Sequence, residues 1–209
     1  PSGHLTDTFA SSFAAYPSSA NFAESRLYVE YQEDVFVGYR YFETIPGAAA
    51  SVCYPFGYGL SYTTFALSDV RGGMNGAGEI ALSATVTNTG LCAGKYVLQA
   101  YVNPPKGRIA KPATALVGFA KTRLLEPNES ETLTVSFAPY AFATYDDEGA
   151  VRKSAYVLEK GAYGFRVGEN VRETVNVDYR YELDDDAILE QLSPKCAPTL
   201  LHRRMLADG

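Results

Sequence analysis

The sequence predicts a mainly β chain: an immunoglobulin-like β-sandwich preceded by a truncated piece of an α/β sandwich domain. Three observations lead there. From Phe65 onward, short apolar–polar alternations recur between clusters of Gly, Pro, Asn and Asp. They amount to about seven strands in roughly 115 residues, the spacing of such a sandwich. Before Phe65 the text changes to a nearly continuous apolar run among loops rich in Ala, Ser and Pro. Between the two lies Cys53–Phe65, in which five aromatic residues stand among two glycines and one proline. Glycine reaches backbone conformations closed to other residues, and proline fixes one dihedral. The stretch is too stiff and too apolar for a flexible linker. It reads as a packed joint.

Residues 1–64 form the α/β remnant and the joint. Pro1–Phe9 is a turn followed by a short apolar stretch, and Ala10–Glu24 an irregular loop. Leu27–Tyr31 alternates, and Val35–Phe42 is almost wholly apolar or aromatic. Both read as strands, the second buried on both faces. Ile45–Val52, with Pro46 and Gly47, reads as a turn or short helix. An incomplete sheet leaves an unpaired edge. Residues 1–41 are therefore expected to pack on the sandwich, to pair with a second copy, or to lack order. In the joint, Pro55, Phe56, Tyr58, Leu60, Tyr62 and Phe65 are expected to bury their side chains between Val35–Tyr41 and the sandwich. Arg40, set between Tyr39 and Tyr41, is expected to pair with a carboxylate or stack on a ring.

Residues 65–182 form the sandwich. Ile80, Leu82, Ala84 and Val86 point one way from a half-buried strand. Lys95–Val102 and Leu116–Arg123 follow. In Thr132–Phe137, Leu133, Val135 and Phe137 share a face. Ala155–Leu158 and Tyr163–Val167 flank a turn at Lys160 and Gly161, and Arg172–Tyr181 ends the set. Residues 183–209 read as a helical tail or linker. Asp184–Asp186 suits the start of a helix over Ala187–Leu192, and Thr199–Leu206 suits a second short helix.

Composition removes several classes. Lys and Arg total 18 and Asp and Glu 24, a net charge of −6, with no basic cluster. That disfavours nucleic acid as a partner. No apolar run approaches a membrane span. The chain opens on Pro1 without an initiator Met, which suggests a fragment or a processed product. Cys53, Cys92 and Cys196 are odd in number and form no CxxC. They read as small buried hydrophobes in a reducing compartment such as the cytoplasm.

Tyr54-Pro55-Phe56-Gly57-Tyr58-Gly59-Leu60-Ser61-Tyr62-Thr63-Thr64-Phe65 resembles the F-P-F-G-Y-G-L-S-Y-T-x-F signature of glycoside hydrolase family 3. Glu33–Glu43 is similar to that family's E-G-I-F-V-G-Y-R-Y-Y-D, with Asp34 where Gly is common. Val86-Thr87-Asn88-Thr89-Gly90, followed by Ala93-Gly94, resembles V-T-N-T-G-x-x-A-G. Gly161–Gly168 resembles G-x-Y-x-V-x-V-G, and Pro1–Phe9 resembles P-S-G-K-L-P-x-T-F, with His4 and Thr6 as departures. The resemblance implies the end of the family's α/β domain plus its fibronectin type III-like domain. It further implies a retaining β-glucosidase-like parent, assembly with that parent's barrel domain and the rest of its α/β domain, and no metal or organic cofactor.

No catalytic residue is expected here. Glycoside hydrolysis needs two carboxyl groups flanking the scissile bond, and the resemblance implies that the family's pair lies outside this chain. Glu33–Asp34, Asp146–Glu148 and Asp184–Asp186 read as solvated loops or helix starts. His4 and His202, the only histidines, do not make a three-ligand zinc site by themselves. There is no G-x-S-x-G nucleophile turn. Sixteen tyrosines allow stacking on sugars, yet most lie in strand patterns, where packing is the expected role. The alternative to an enzyme fragment is a non-catalytic carbohydrate-binding or structural interaction module. The isolated chain is expected to be inactive and to have surfaces for self-association.

Overall fold

The computed structural model describes residues 3–195 and 204–207. Its strands run in the order β1 (Phe9–Ala10), β2 (Val52–Tyr54), β3 (Phe65–Met74), β4 (Ile80–Asn88), β5 (Val97–Asn103), β6 (Ala115–Lys121) and β7 (Ser130–Phe137). β8 (Thr144–Asp146), β9 (Ala155–Leu158), β10 (Gly161–Gly168), β11 (Thr174–Leu183) and β12 (Ala187–Gln191) follow. Two antiparallel sheets face each other, one ordered β3-β4-β7 and the other β11-β10-β5-β6. This is the β-sandwich that the sequence predicts.

The period of two in the sequence becomes the core. Ile80, Leu82, Ala84 and Val86 of β4 are fully buried, while the residues between them are half-buried. They meet Leu133, Val135 and Phe137 of β7 from the same sheet and Leu98, Ala100, Val102, Phe165 and Val167 from the other. Phe142, in the short turn after β7, caps this layer by edge contacts with Phe137 and Phe165. Removing so many large apolar side chains from water is the main stabilising term of the domain.

β5 departs from simple alternation. It is buried on both faces from Leu98 to Val102. Leu98, Ala100 and Val102 face the core, whereas Gln99 and Tyr101 face outward under a cover supplied by the N-terminal segment.

That segment differs from the expectation of two strands. Leu27–Tyr31 and Val35–Val37 form no ladder. Asp34 and Gly38 hold φ values of 50° and 58°. Two left-handed residues this close turn the chain out of an extended path. Tyr39–Phe42 instead forms a single helical turn, α1, which starts directly at Gly38. Arg40 lies exposed on it and makes no ion pair among the described residues. The regular pairing in residues 3–64 consists of β1 with β2 and of a bridge between His4 and Gly59.

The tail also departs from the expectation. Ala187–Gln191 is strand β12, not a helix, and joins β9 and β8 in a third sheet. An available strand edge on β9 outcompetes local helix preference here. Asp186 does not start a helix. It accepts from the Lys160 N–H and pairs with Arg108. Of the second expected helix, residues 199–203 lie outside the described residues, and Arg204–Leu206 has no regular structure. Cys53 and Cys92 are exposed rather than buried, because β2 and the turn after β4 face solvent there. Cys196 lies outside the described residues.

Candidate functional site

The aromatic joint is where the two parts of the chain meet. Pro55, Phe56, Gly57 and Tyr58 form a turn closed by the Tyr58 N–H on the Pro55 carbonyl at 3.1 Å. Gly57 stands third in it at φ 81°, the position that a type II turn reserves for glycine. A Cβ there would also lie 2.3 Å from the Gln99 side chain. The turn is held from below by Leu5, whose N–H and carbonyl pair with Tyr58 and Gly57 at 2.8 Å each.

From above, the sandwich grips the same turn. The Phe56 carbonyl accepts from the Val171 N–H at 3.1 Å. The Gln99 amide donates to the Gly57 and Glu169 carbonyls, and the Tyr101 hydroxyl donates to Gln99 at 2.6 Å. The Phe56 ring lies 4.5 Å from Tyr39, whose ring makes an edge contact with Tyr101. Tyr39 also uses its hydroxyl to accept from the Leu116 N–H. Burial raises the Tyr101 phenol well above its ordinary range, so it stays a neutral donor. Glu43 and the Ala49 carbonyl receive Arg172, and Thr44 accepts from Ala113.

A second pin links Thr63 to Asn88. Asn88 is fully buried, and its amide donates to the Cys92 and Leu125 carbonyls at 2.8 Å each. Its oxygen accepts from the Thr63 hydroxyl at 2.6 Å and the Gly90 N–H at 3.1 Å. Every polar atom of that side chain is therefore satisfied. Thr63 fits only because Gly90 and Gly94 lack side chains. A Cβ on either would lie 2.1 Å and 2.6 Å from Thr63 atoms. The two stretches Tyr62–Phe65 and Asn88–Gly94, far apart in sequence, are thus one structural unit.

The six joint residues divide. Pro55, Phe56, Tyr58 and Phe65 are half-buried, Phe65 against Tyr96 at 5.4 Å. Leu60 and Tyr62 are 61% and 81% exposed, contrary to the expectation of burial. Thr63, not Tyr62, turns inward, because the bend at these two residues brings the Thr63 hydroxyl onto buried Asn88 and leaves the tyrosine outside. Leu60 opens instead on an apolar hollow of ≈ 490 Å³ that Leu5, Phe9, Tyr54 and Tyr58 also line. The same segment exposes Phe13, Phe22, Leu27, Tyr28 and Tyr31. Phe9, Tyr54 and Leu60 share one hollow, and exposed apolar surface gathered in this way is characteristic of an interface.

The carboxylates are engaged in structure. Burial pushes Asp146 upward, but the N–H groups of Val151, Arg152, Gly149 and Ala150 outweigh it and hold the acid below its ordinary range. Burial likewise raises Glu159, while the Lys111 ammonium and the N–H groups of Arg108 and Ile109 bring it down on balance. Asp34, Asp147 and Glu148 all pair with Arg204. Sequence reasoning missed Glu159 and Asp146 as anchors. Asp146 is the last residue of β8 and Glu159 lies one residue past β9, and no spacing reveals such a cap.

Comparison with known proteins agrees with this arrangement. A family model described as the fibronectin type III-like domain matches residues 96–171. β-Glucosidase A of Butyrivibrio fibrisolvens is 50% identical over 100% of this chain and 27% of its own length. A β-glucosidase of Ruminococcus albus is 41% identical, again over 100% of this chain and 22% of its own. A crystal structure of a β-glucosidase from Paenibacillus barengoltzii superposes with a TM-score of 0.87 at 45% identity, covering 96% of this chain and 22% of that one. The chain spans about a quarter of the length of these relatives. With the aromatic joint, the Thr63–Asn88 unit and the sandwich all in place, the chain belongs to glycoside hydrolase family 3, as the stretch that carries its fibronectin type III-like domain.

Proposed function

We propose that this chain serves a retaining β-glucosidase of family 3 as its assembly module. The joint locks the end of the α/β domain onto the sandwich, and the exposed apolar face of residues 3–64 seats the rest of that domain and the barrel. The observation that carries this reading is the contrast within residues 3–64. One side is pinned to the sandwich by Phe56, Tyr39, Thr63 and Arg172. The other leaves Phe9, Tyr54, Leu60 and Tyr62 open. The reading is further supported by relatives named as β-glucosidases that are some four times longer.

In this role the chain performs no bond cleavage. Glu159, Asp146, Asp34, Asp147 and Asp186 are spent on ion pairs and backbone caps, and the pair needed for glycoside hydrolysis comes from other parts of the parent. The test is turnover of an aryl β-glucoside by the purified chain and by the parent. The chain is expected to be inactive, and the parent active. Hydrolysis by the chain that vanishes on replacing one of its own carboxylates would overturn the reading. The open face further predicts concentration-dependent self-association of the isolated chain, read by sedimentation velocity. Association that disappears in a Phe9→Ser, Leu60→Ser double variant supports the interface.

A further inference from the structure

Away from the joint, the outer face of the β11-β10-β5-β6 sheet carries a polar groove that the assembly role does not use. Tyr163, Phe165 and Val167 point into the core, so Ala162, Gly164 and Arg166 point outward. Gly164 pairs with Asn103 on one side and Arg180 on the other. Arg166 pairs with Tyr101 and Asn176, and Ala162 with Glu182. The middle strand thus presents almost no side chain along two rows, while its neighbours present long polar ones. The result is a hollow of ≈ 700 Å³ walled by Asn103, Arg166, Asn176, Asp178, Arg180 and Glu182. The register shift between Gly164 and Arg166 lengthens β11 locally and brings Asp178 into this wall.

These walls hold unspent hydrogen-bonding capacity. Arg166, Asn176, Asp178, Arg180 and Glu182 make no side-chain hydrogen bond or ion pair among the described residues. Asn103 uses only its amide N–H, toward the Ala113 carbonyl at 2.8 Å. Two guanidinium groups and two carboxylates share one hollow without pairing. Their charges cancel, so the groove selects neither an anion nor a cation. A protein partner would need an exposed apolar anchor, yet of the large lining residues Phe165 and Val177 belong to the buried core and Tyr179 is packed against it, stacked on Phe165. Hydroxyl groups, which donate and accept at once, match planar donors and acceptors set side by side. The hollow lies within the size range of small-molecule sites. We infer that this face binds a neutral oligosaccharide, with Arg166, Arg180 and the two amides contacting its hydroxyl groups and Gly164 forming the floor.

Cellotriose is chosen on the strength of the proposed function, whereas the groove itself is independent of it. The experiment is a nuclear magnetic resonance titration of the chain with cellotriose and xylotriose, beside anionic trigalacturonate and cationic chitotriose with free amines. The neutral sugars are expected to shift backbone amides of β10 and β11. Gly164→Leu is the diagnostic variant. A Cβ at this position meets no heavy atom within 4 Å, so the fold and melting temperature should persist while the floor fills. Affinity is expected to fall about tenfold or more, the equivalent of one lost hydrogen bond. Should that variant fail to fold, Arg180→Ala, at an exposed position, takes its place with the same expected loss. No shift with either neutral sugar, unchanged binding by a folded variant, or tighter binding of a charged sugar would each overturn the inference. Such a failure leaves the assembly role standing, because that role is read from activity of the parent and from the joint.

Discussion

Asp34 and Arg204 meet across 170 residues of chain. Asp34 holds a φ of 50°, and its carboxylate receives the Arg204 guanidinium. The same guanidinium reaches Asp147 at 3.0 Å and Glu148 at 2.9 Å, and the Met205 N–H donates to the Gln32 carbonyl. Burial lowers the guanidinium pKa, but Asp147 and Asp34 outweigh it and hold the group above its ordinary range. Glycine would suit the backbone at position 34 better, yet would give up the ion pair. Asp34→Gly and Arg204→Ala are each expected to lower stability by about 1 kcal/mol or less, since the pair is partly solvated. A double-mutant cycle in urea should show coupling that shrinks in molar salt. Additive effects would mean that the pair contributes nothing.

Phe56 and Tyr62 make opposite predictions from one motif. Phe56 is half-buried against Tyr39, and its carbonyl is bound by Val171. Full burial would make truncation cost about 3–5 kcal/mol, so a half-buried ring should cost about 1–3 kcal/mol. Phe56→Ala should therefore lower the melting temperature of the chain, whereas Tyr62→Ala and Ser68→Ala should leave it within a degree or two of wild type. If the parent covers the open face as proposed, Tyr62→Ala should instead reduce stability in the full-length protein. Calorimetry of both lengths reads the difference.

Glu159 is the buried acid with the most to lose. Its side chain and that of Lys111 are 4% and 6% exposed, and Glu159 also accepts from the N–H groups of Arg108 and Ile109. It thereby fixes the loop between β5 and β6 on the sandwich. Removing one member of a buried pair costs about 3–5 kcal/mol, and Glu159→Gln, which keeps shape and an acceptor, should lie at the lower end of that range. The pKa is depressed in the folded state. Its stabilisation is therefore complete above the unfolded value of about 4.3 and is lost as pH falls through the lower folded value. Wild type should lose stability on acidification in that window, and the Gln variant should lose less. Parallel acid limbs in the two proteins would contradict this assignment.

Gly90→Ala tests the Thr63–Asn88 unit. The added Cβ would lie 2.1 Å from the Thr63 hydroxyl and 2.8 Å from the Thr64 backbone nitrogen. Backbone does not yield as a flexible side chain would, so a loss of about 1–3 kcal/mol is expected. A Thr63→Ser, Gly90→Ala double variant should not recover it, because serine keeps the clashing hydroxyl and the Thr64 clash remains. Thermal unfolding of the three proteins decides the matter.

The parts that were legible in the sequence are those governed by short-range pattern. The alternation at Ile80, Leu82, Ala84 and Val86 became the core. Long-range competition was not legible. Val35–Phe42 has the apolar content of a buried strand, but Asp34 and Gly38 break the extended path and Tyr39 is drawn onto Tyr101 and Leu116. Ala187–Gln191 follows three acids that suit a helix start, yet the edge of β9 recruits it as a strand. Tyr62 and Thr63 are neighbours in a bend of the joint, and only the position of Asn88 reveals which of them turns inward.

The hydrogen bond from Val171 to the Phe56 carbonyl also sets a clock for biosynthesis. The sandwich partners of the joint, Gln99, Tyr101, Val171 and Arg172, are all translated after it, the last of them more than a hundred residues later. At ordinary ribosomal speeds of about 5–20 residues per second, the aromatic segment waits roughly 5–25 s before its seat exists. During that interval Phe56 has Tyr39 beside it but lacks the sandwich surface that completes its seat. Nascent chains carrying this segment should therefore be clients of ribosome-associated chaperones until residue 172 has cleared the exit tunnel, and be released soon afterwards.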